Sequence, residues 1–213
     1  MSEQRNSSTK GDLGSVSPQG RFVARRSVAP MSPGFVASNV EIETKRGYIP
    51  LHALTCGDMI FDHRGARVAI KSVALSQVQV SSSRFGPVAL RISESVLILT
   101  RTTLVRVQAD FFDDFFGSSS ALIPAGSLLG TGLAEAAPSG EYSLIKITPD
   151  HPSLLTLGGC QIEAGFDGDD VFVANDAGRA ADALKFDGMT VIPETVASEI
   201  LDRAIETSGI WFA

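Results

Sequence analysis

The chain has 213 residues, 44% of them hydrophobic and 20% charged, with a net charge of −6, two cysteines and three histidines. That apolar fraction excludes a wholly disordered chain, and the length suits one domain with a sizeable core. Two cysteines cannot build a disulfide scaffold or a four-thiolate zinc centre, an acidic chain is a poor nucleic-acid binder, and no apolar run approaches the roughly 18 residues of a membrane span.

Residues 1–34 carry five basic side chains against two acidic ones, a net of +3, which leaves −9 on the other 179 residues. The segment is rich in Ser, Gly and Pro and has no hydrophobic period, so it reads as a disordered tail. It lacks the continuous apolar stretch of a Sec signal. Arg25-Arg26 precede Ser27-Val28-Ala29-Pro30, too short and broken for twin-arginine export. The cytoplasm is then the default compartment, with signal-independent secretion left open. The basic tail reads as a solvated arm, with contact to an acidic partner or a membrane surface as the alternative.

From Phe35 the texture changes. Val40-Glu41-Ile42-Glu43-Thr44 alternates apolar and polar residues, as a half-buried strand does. Lys45-Arg46-Gly47-Tyr48 reads as a turn, Ile49 to Leu54 as a connector, and Met59 to Asp62 as a strand. The turn His63-Arg64-Gly65-Ala66 joins that strand to Val68–Leu75, which makes a hairpin. Further strands are predicted at Val88–Ile92, Val96–Thr100, Leu104–Val107, Ala121–Pro124, Tyr142–Ile147, Ser153–Leu157 and Gln161–Glu163. Residues 110–120 set four Phe among three Asp and read as a loop. Its Phe side chains either tuck under the sheet, the favoured reading, or form an exposed patch for a partner. Pro193-Glu194-Thr195-Val196 opens a helix with Val196, Ile200, Ala204 and Ile205 as its apolar stripe, and Gly209 stops it. Residues 164–213 hold ten acidic residues against three basic ones. Short strands at regular spacing predict a mainly β fold of antiparallel strands with a C-terminal helix.

Few constellations carry chemistry. No Gly-rich phosphate loop and no paired-His spacing occurs. His52, His63 and His151 are far apart in sequence and read as surface or hydrogen-bonded structural groups. Phe166-Asp167-Gly168-Asp169-Asp170 lacks the spacing of a calcium loop and reads as a solvated turn. Cys56 lies among apolar residues and reads as a buried inert thiol. Neither a metal nor a cofactor is implied.

The order of the pieces resembles the Hint (hedgehog/intein) domain family, in particular its bacterial Hint-like group. The opening stretch Val40 to Thr44, then Arg46-Gly47, Pro50-Leu51, Leu54 and Gly57-Asp58-Met59-Ile60, follows the family's first block. Val88–Ile92 and Leu97–Thr100 look like the strands leading to the second. Leu122-Ile123-Pro124-Ala125-Gly126-Ser127-Leu128 is similar to a Val-Pro-Ala-x-x-Leu segment, and Tyr142 to Glu163 to the closing block. The resemblance spans about residues 35–165 and implies a closed β fold. It divides the chain into a tail at 1–34, a β domain at 35–190 and a helical extension at 191–213.

Family members with intact sites cleave or splice themselves. A Cys or Ser at the domain start attacks the preceding carbonyl, and a Thr-x-x-His element strains and protonates the scissile amide nitrogen. By this resemblance the nucleophile position falls on Phe35, and the second element on Thr100-Arg101-Thr102-Thr103. Thr100 fits, but Thr103 replaces the histidine. Phe35 cannot attack a carbonyl, and a Thr hydroxyl cannot do an imidazole's proton work at neutral pH. Asp150-His151 matches the later block, and reads equally well as a tight turn. The resemblance therefore implies a Hint domain that has lost self-cleavage and survives as a binding or interaction module. The alternatives are active processing through a shifted nucleophile such as Ser38, and an accessory module of surface or secreted proteins. A protein partner would meet the tail or Phe111, Phe112, Phe115 and Phe116.

Overall fold

The computed structural model describes residues 34–80, 86–93, 95–165, 185–186 and 189–213. The basic tail up to residue 33 and the acidic turn at 166–170 lie outside these residues. Alternating residues form the expected strands, and backbone pairing then joins them into two sheets.

The first sheet gathers β1 (Phe35–Ala37), β2 (Glu41–Thr44), β3 (Gly47–Pro50), β4 (Met59–Phe61), β5 (Arg67–Val80), β6 (Val88–Ile92) and β7 (Ser95–Leu99). To these it adds two later strands, here numbered after β8 (Leu104–Gln108) and β9 (Ser120–Pro124): β10 (Ala134–Ala136) and β11 (Gly140–Pro149). Its order is β10-β6-β7-β1-β11-β5-β4-β2-β3. The second sheet runs β12 (Ser153–Leu157), β13 (Cys160–Ala164), β8, β9, β15 (Met189–Val191), β14 (Lys185–Phe186), with β16 (Trp211–Phe212) also paired to β8. One hydrophobic cluster joins the sheets, from Val36, Leu99 and Ile145 on one side to Val105, Ile123 and Ile162 on the other.

The expectation of a mainly β chain with a C-terminal helix holds, with four differences. First, β5 has 14 residues and runs past Leu75 to Val80. Its far half ends Gln77-Val78-Gln79-Val80, with Val78 half-buried and Val80 buried, an alternation too short to extend the predicted strand past Leu75. Its backbone groups are satisfied because β11 pairs with it from Gly140 opposite Val80 to Thr148 opposite Ser72. Second, one pairing is parallel: β15 lies beside β9, with Thr190 opposite Ala121.

Third, the Phe-rich stretch is a helix, α1 (Phe111–Phe116), not a loop. Gly117 ends it in the left-handed region at φ +65° and donates its N–H to the Asp113 carbonyl at 2.9 Å. A helix cannot turn four Phe inward from six residues. Phe112 is fully buried, Phe111 and Phe116 are half-buried, and Phe115 stays 58% exposed. Tucking and exposure therefore both occur, at different residues. Fourth, Cys56 is exposed on a turn. Cys160 is the buried thiol, and burial pushes it up to about 12.

The C-terminal helix α2 (Glu194–Thr207) follows Pro193 as expected. Its buried stripe is Ala197, Leu201 and Ala204, while Val196 and Ile205 are exposed. The helix is thus turned by one residue from the predicted phase. Two alanines on the inner face let it approach β9 and the single 3-10 turn at Ala125–Leu128 closely, and its stripe joins the common core.

Candidate functional site

The chain changes sheets at Thr100-Arg101-Thr102-Thr103, the turn between β7 and β8. The Thr103 N–H donates to the Thr100 carbonyl at 3.1 Å and closes the turn. A second segment clamps it: the Ala125 N–H reaches the Thr103 carbonyl at 2.9 Å, and the Gly126 N–H the Arg101 carbonyl at 2.7 Å. Glycine at residue 126 suits this approach, since a Cβ would stand 3.2 Å from the Arg101 side chain and push it aside by a few tenths of an ångström.

The turn buries two hydroxyls. Thr100 is 3% exposed and Thr103 fully buried, with their Oγ1 atoms 2.7 Å apart. β1 brings the start of the domain to them. Val36 lies opposite Leu99 on β7, and Phe35 opposite Lys146 on β11. This places Gly34 so that its N–H donates to Thr103 Oγ1 at 3.0 Å, across 69 residues of chain. Gly34 sits at φ +84°, where a side chain would be strained.

Glu163 on β13 completes the cluster from the second sheet. It is 1% exposed and accepts the Leu104 N–H at 3.3 Å through Oε1. Its Oε2 faces Gly34, whose missing Cβ would lie 3.4 Å away, with the Lys146 stem at 3.7 Å on the same side. Burial raises the carboxyl to about 8; the Leu104 N–H and the Lys146 charge oppose that rise without cancelling it. Glu163 therefore carries its proton at neutral pH. A cavity of about 10 Å³ adjoins Gly34 and Glu163, room for roughly one water and not for an organic ligand.

The arrangement thus offers one neutral carboxylic acid, two hydroxyls and a nearby ammonium around one backbone amide. It holds no thiol and no imidazole among these groups. The residue whose amide is held is Gly34, one position before the Phe35 singled out from the sequence. Thr100 and Thr103 lie against each other, and Gly34 meets them through Thr103.

Asp150 and His151 lie elsewhere. They form the turn after β11, with His151 Nδ1 at 2.8 Å from Asp150 Oδ1 and both side chains more than half exposed. Four residues of strand, roughly 13 Å, separate Lys146 from Asp150. The Asp150 N–H is bound to the Ala69 carbonyl at 2.9 Å. His52 places Nδ1 3.0 Å from the Ser38 carbonyl, and its own N–H reaches the same oxygen at 3.2 Å. Among the described residues no group of three or more His, Cys, Asp or Glu side chains is placed to hold a metal ion. No helix among them is long and apolar enough to cross a membrane.

Gly34, Lys146 and Glu163 were missed from the sequence. Gln161-Ile162-Glu163 reads as a one-sided strand with Glu163 outward. In the fold Ile162, Glu163 and Ala164 are all buried, because both faces of β13 are covered. The signal that was there is the lone acid followed by Ala164-Gly165, small residues that let other elements close over it.

No family model matches the chain, and no curated protein matches it. Among solved structures, the chain is similar to intein splicing domains. A crystal structure of a substituted gp41-1 intein matches at a TM-score of 0.44 and 12% identity, over 62% of this chain and 98% of that one. The MchDnaB-1 intein matches at 0.41 and 11%, over 61% and 98%. The Msm DnaB1 intein splicing domain, bound with zinc, matches at 0.40 and 12%, over 61% and 98%.

Proposed function

We propose that this chain is a Hint-type domain of the bacterial Hint-like group that has lost self-cleavage and splicing and acts as a non-catalytic binding or interaction module. The observation that carries this reading is the Gly34 N–H on Thr103 Oγ1. In the processing chemistry the amide held by this element belongs to the nucleophile residue. Here that residue is a glycine with nothing to attack with, and the neighbouring Phe35 is no better. The partner at the amide is also reversed in role. Thr103 receives the amide proton, whereas breaking the bond requires a group that delivers one to nitrogen. Phe35 and Thr103 are thus degenerate positions. Thr100 persists as the partner of Thr103, and Asp150-His151 as a solvated turn.

Active processing through Ser38 fits the geometry less well. A Ser38 hydroxyl would attack the Ala37 carbonyl. The nearby imidazole of His52 instead contacts the carbonyl of Ser38 itself, one peptide bond too late. As a module, the chain offers α1 for a protein contact, where Phe115 is exposed and its ring lies 4.6 Å from that of Phe111.

The test is intact mass of the full chain over days, with and without a thiol or hydroxylamine. The expected result is an unchanged mass under both conditions. A clean break near Gly34 or between Ala37 and Ser38 sinks the reading, and its loss in Ser38→Ala would then name the nucleophile.

A further inference from the structure

A groove of about 920 Å³ lies apart from the Thr103 site. It runs between β2–β3 on one side and β7 with the β12–β13 turn on the other. Buried Ile42 and Leu97 lie at its base.

One wall is acidic. Glu41 and Glu43 alternate with Ile42, so both carboxylates leave the same face of β2, two residues or roughly 7 Å apart. Both are exposed, and neither makes an ion pair among the described residues. Tyr48 lies directly opposite Glu43 on β3 and is 68% exposed, a ring free to take a cation on its face. Asp62 adds a third carboxylate, whose Oδ1 accepts the N–H groups of Arg64 and Ala66. Among the described residues, no Lys or Arg lines the groove. Its potential is therefore negative, and its walls focus that field.

The other wall carries no charge: Ser95, Val96, Leu97, Thr156 and the Gly158-Gly159 turn form it. Val96 is 59% exposed there, and Gly158-Gly159 present no side chains. β3 is an edge of the sheet whose one partner among the described residues is β2, so its outer backbone groups are open to pairing.

We infer that this groove binds an extended basic peptide of a partner protein, one with Lys or Arg at every second position and apolar residues between. The alternation follows from the walls. Successive side chains of an extended chain point to opposite sides. Cations would then meet Glu41, Glu43 and the Tyr48 ring, and apolar residues would meet Val96 and the glycine turn. This assignment rests on the interaction-module reading and gives that module a partner class.

The test is fluorescence anisotropy of the full chain with a labelled, end-blocked peptide alternating lysine and valine. Comparators are the glutamate–valine peptide and a lysine-block, valine-block peptide of the same composition. The alternating peptide should bind best and weaken as salt rises. Affinity should fall about tenfold in the Glu41→Lys, Glu43→Lys double variant, and in the same direction for the milder Glu41→Gln, Glu43→Gln pair. Tyr48→Ala should weaken binding several-fold. Glu135→Gln, which removes an exposed acid paired to Arg91 at 2.6 Å on β6, should change nothing. Absence of binding, equal binding of the glutamate peptide, or an unaffected double variant overturns the inference. Binding that appears only after Arg21, Arg25 and Arg26 are changed to Ser also overturns it, because the chain's own tail would be the occupant. Intact mass of the same samples keeps the readings apart: cleavage sinks the loss of processing whether or not peptide binds, and failed binding leaves an uncleaved mass standing.

Discussion

Two polar regions of the molecule differ in their exposure to solvent. At the sheet junction, Thr100, Thr103 and Glu163 are buried against the Gly34 amide. At the end of β11, Asp150 and His151 stand in water. In the buried region each polar atom needs a partner, so a lost contact costs the desolvation of the group left behind. In the exposed one water replaces whatever is lost. Residue identity alone does not mark the functional centre; burial gives polar groups their consequence.

The largest break in this comparison comes from Glu163. Its folded-state pKa of about 8 lies above the ordinary value of 4.5, so the folded chain holds a proton that the unfolded chain releases. The stability contributed is complete below the ordinary value and is lost as pH rises through the folded one. Stability should fall by about 1.4 kcal/mol per pH unit within that window. Glu163→Gln should flatten the slope and be the more stable protein at the upper end. Urea midpoints of both proteins across the window check this, and equal slopes would refute it.

Next comes Thr103→Val, which keeps the shape and removes the acceptor of the Gly34 N–H. It should cost about 1–3 kcal/mol, with faster hydrogen exchange at the Gly34 amide. A cost indistinguishable from zero would mean that the junction anchors nothing. The smallest effect is expected at the exposed turn. Asp150→Asn and His151→Ala should each shift stability by less than about 0.5 kcal/mol, measured in the same urea titrations. A larger loss there would erase the contrast between the regions.

Much of the fold was legible because alternation is written into neighbouring residues. Glu41-Ile42-Glu43-Thr44 shows it and forms a strand. The turn at Gly57-Asp58 was also legible. Asp58 accepts the Thr55 N–H at 2.8 Å and the Thr55 hydroxyl at 2.9 Å and pairs with Arg46, contacts that hold its carboxyl below the usual range. The Phe111–Phe116 helix was not legible, because six residues with four Phe show no period. The phase of α2 was missed because its alanines carry little hydrophobic signal, while exposed Val196 and Ile205 carry more.

The sequence by itself determined a mainly β chain, a helix after Pro193, and a Thr-rich turn at residues 100–103. Each depends on residues within a few positions of one another. Only the tertiary structure decided that Gly34, not Phe35, meets that turn, that Glu163 is buried and protonated, and that β2, β7 and the β12–β13 turn border one groove. The physical reason is that these depend on what packs against a residue's other face. Partners far along the chain supply that face, and no local pattern records them.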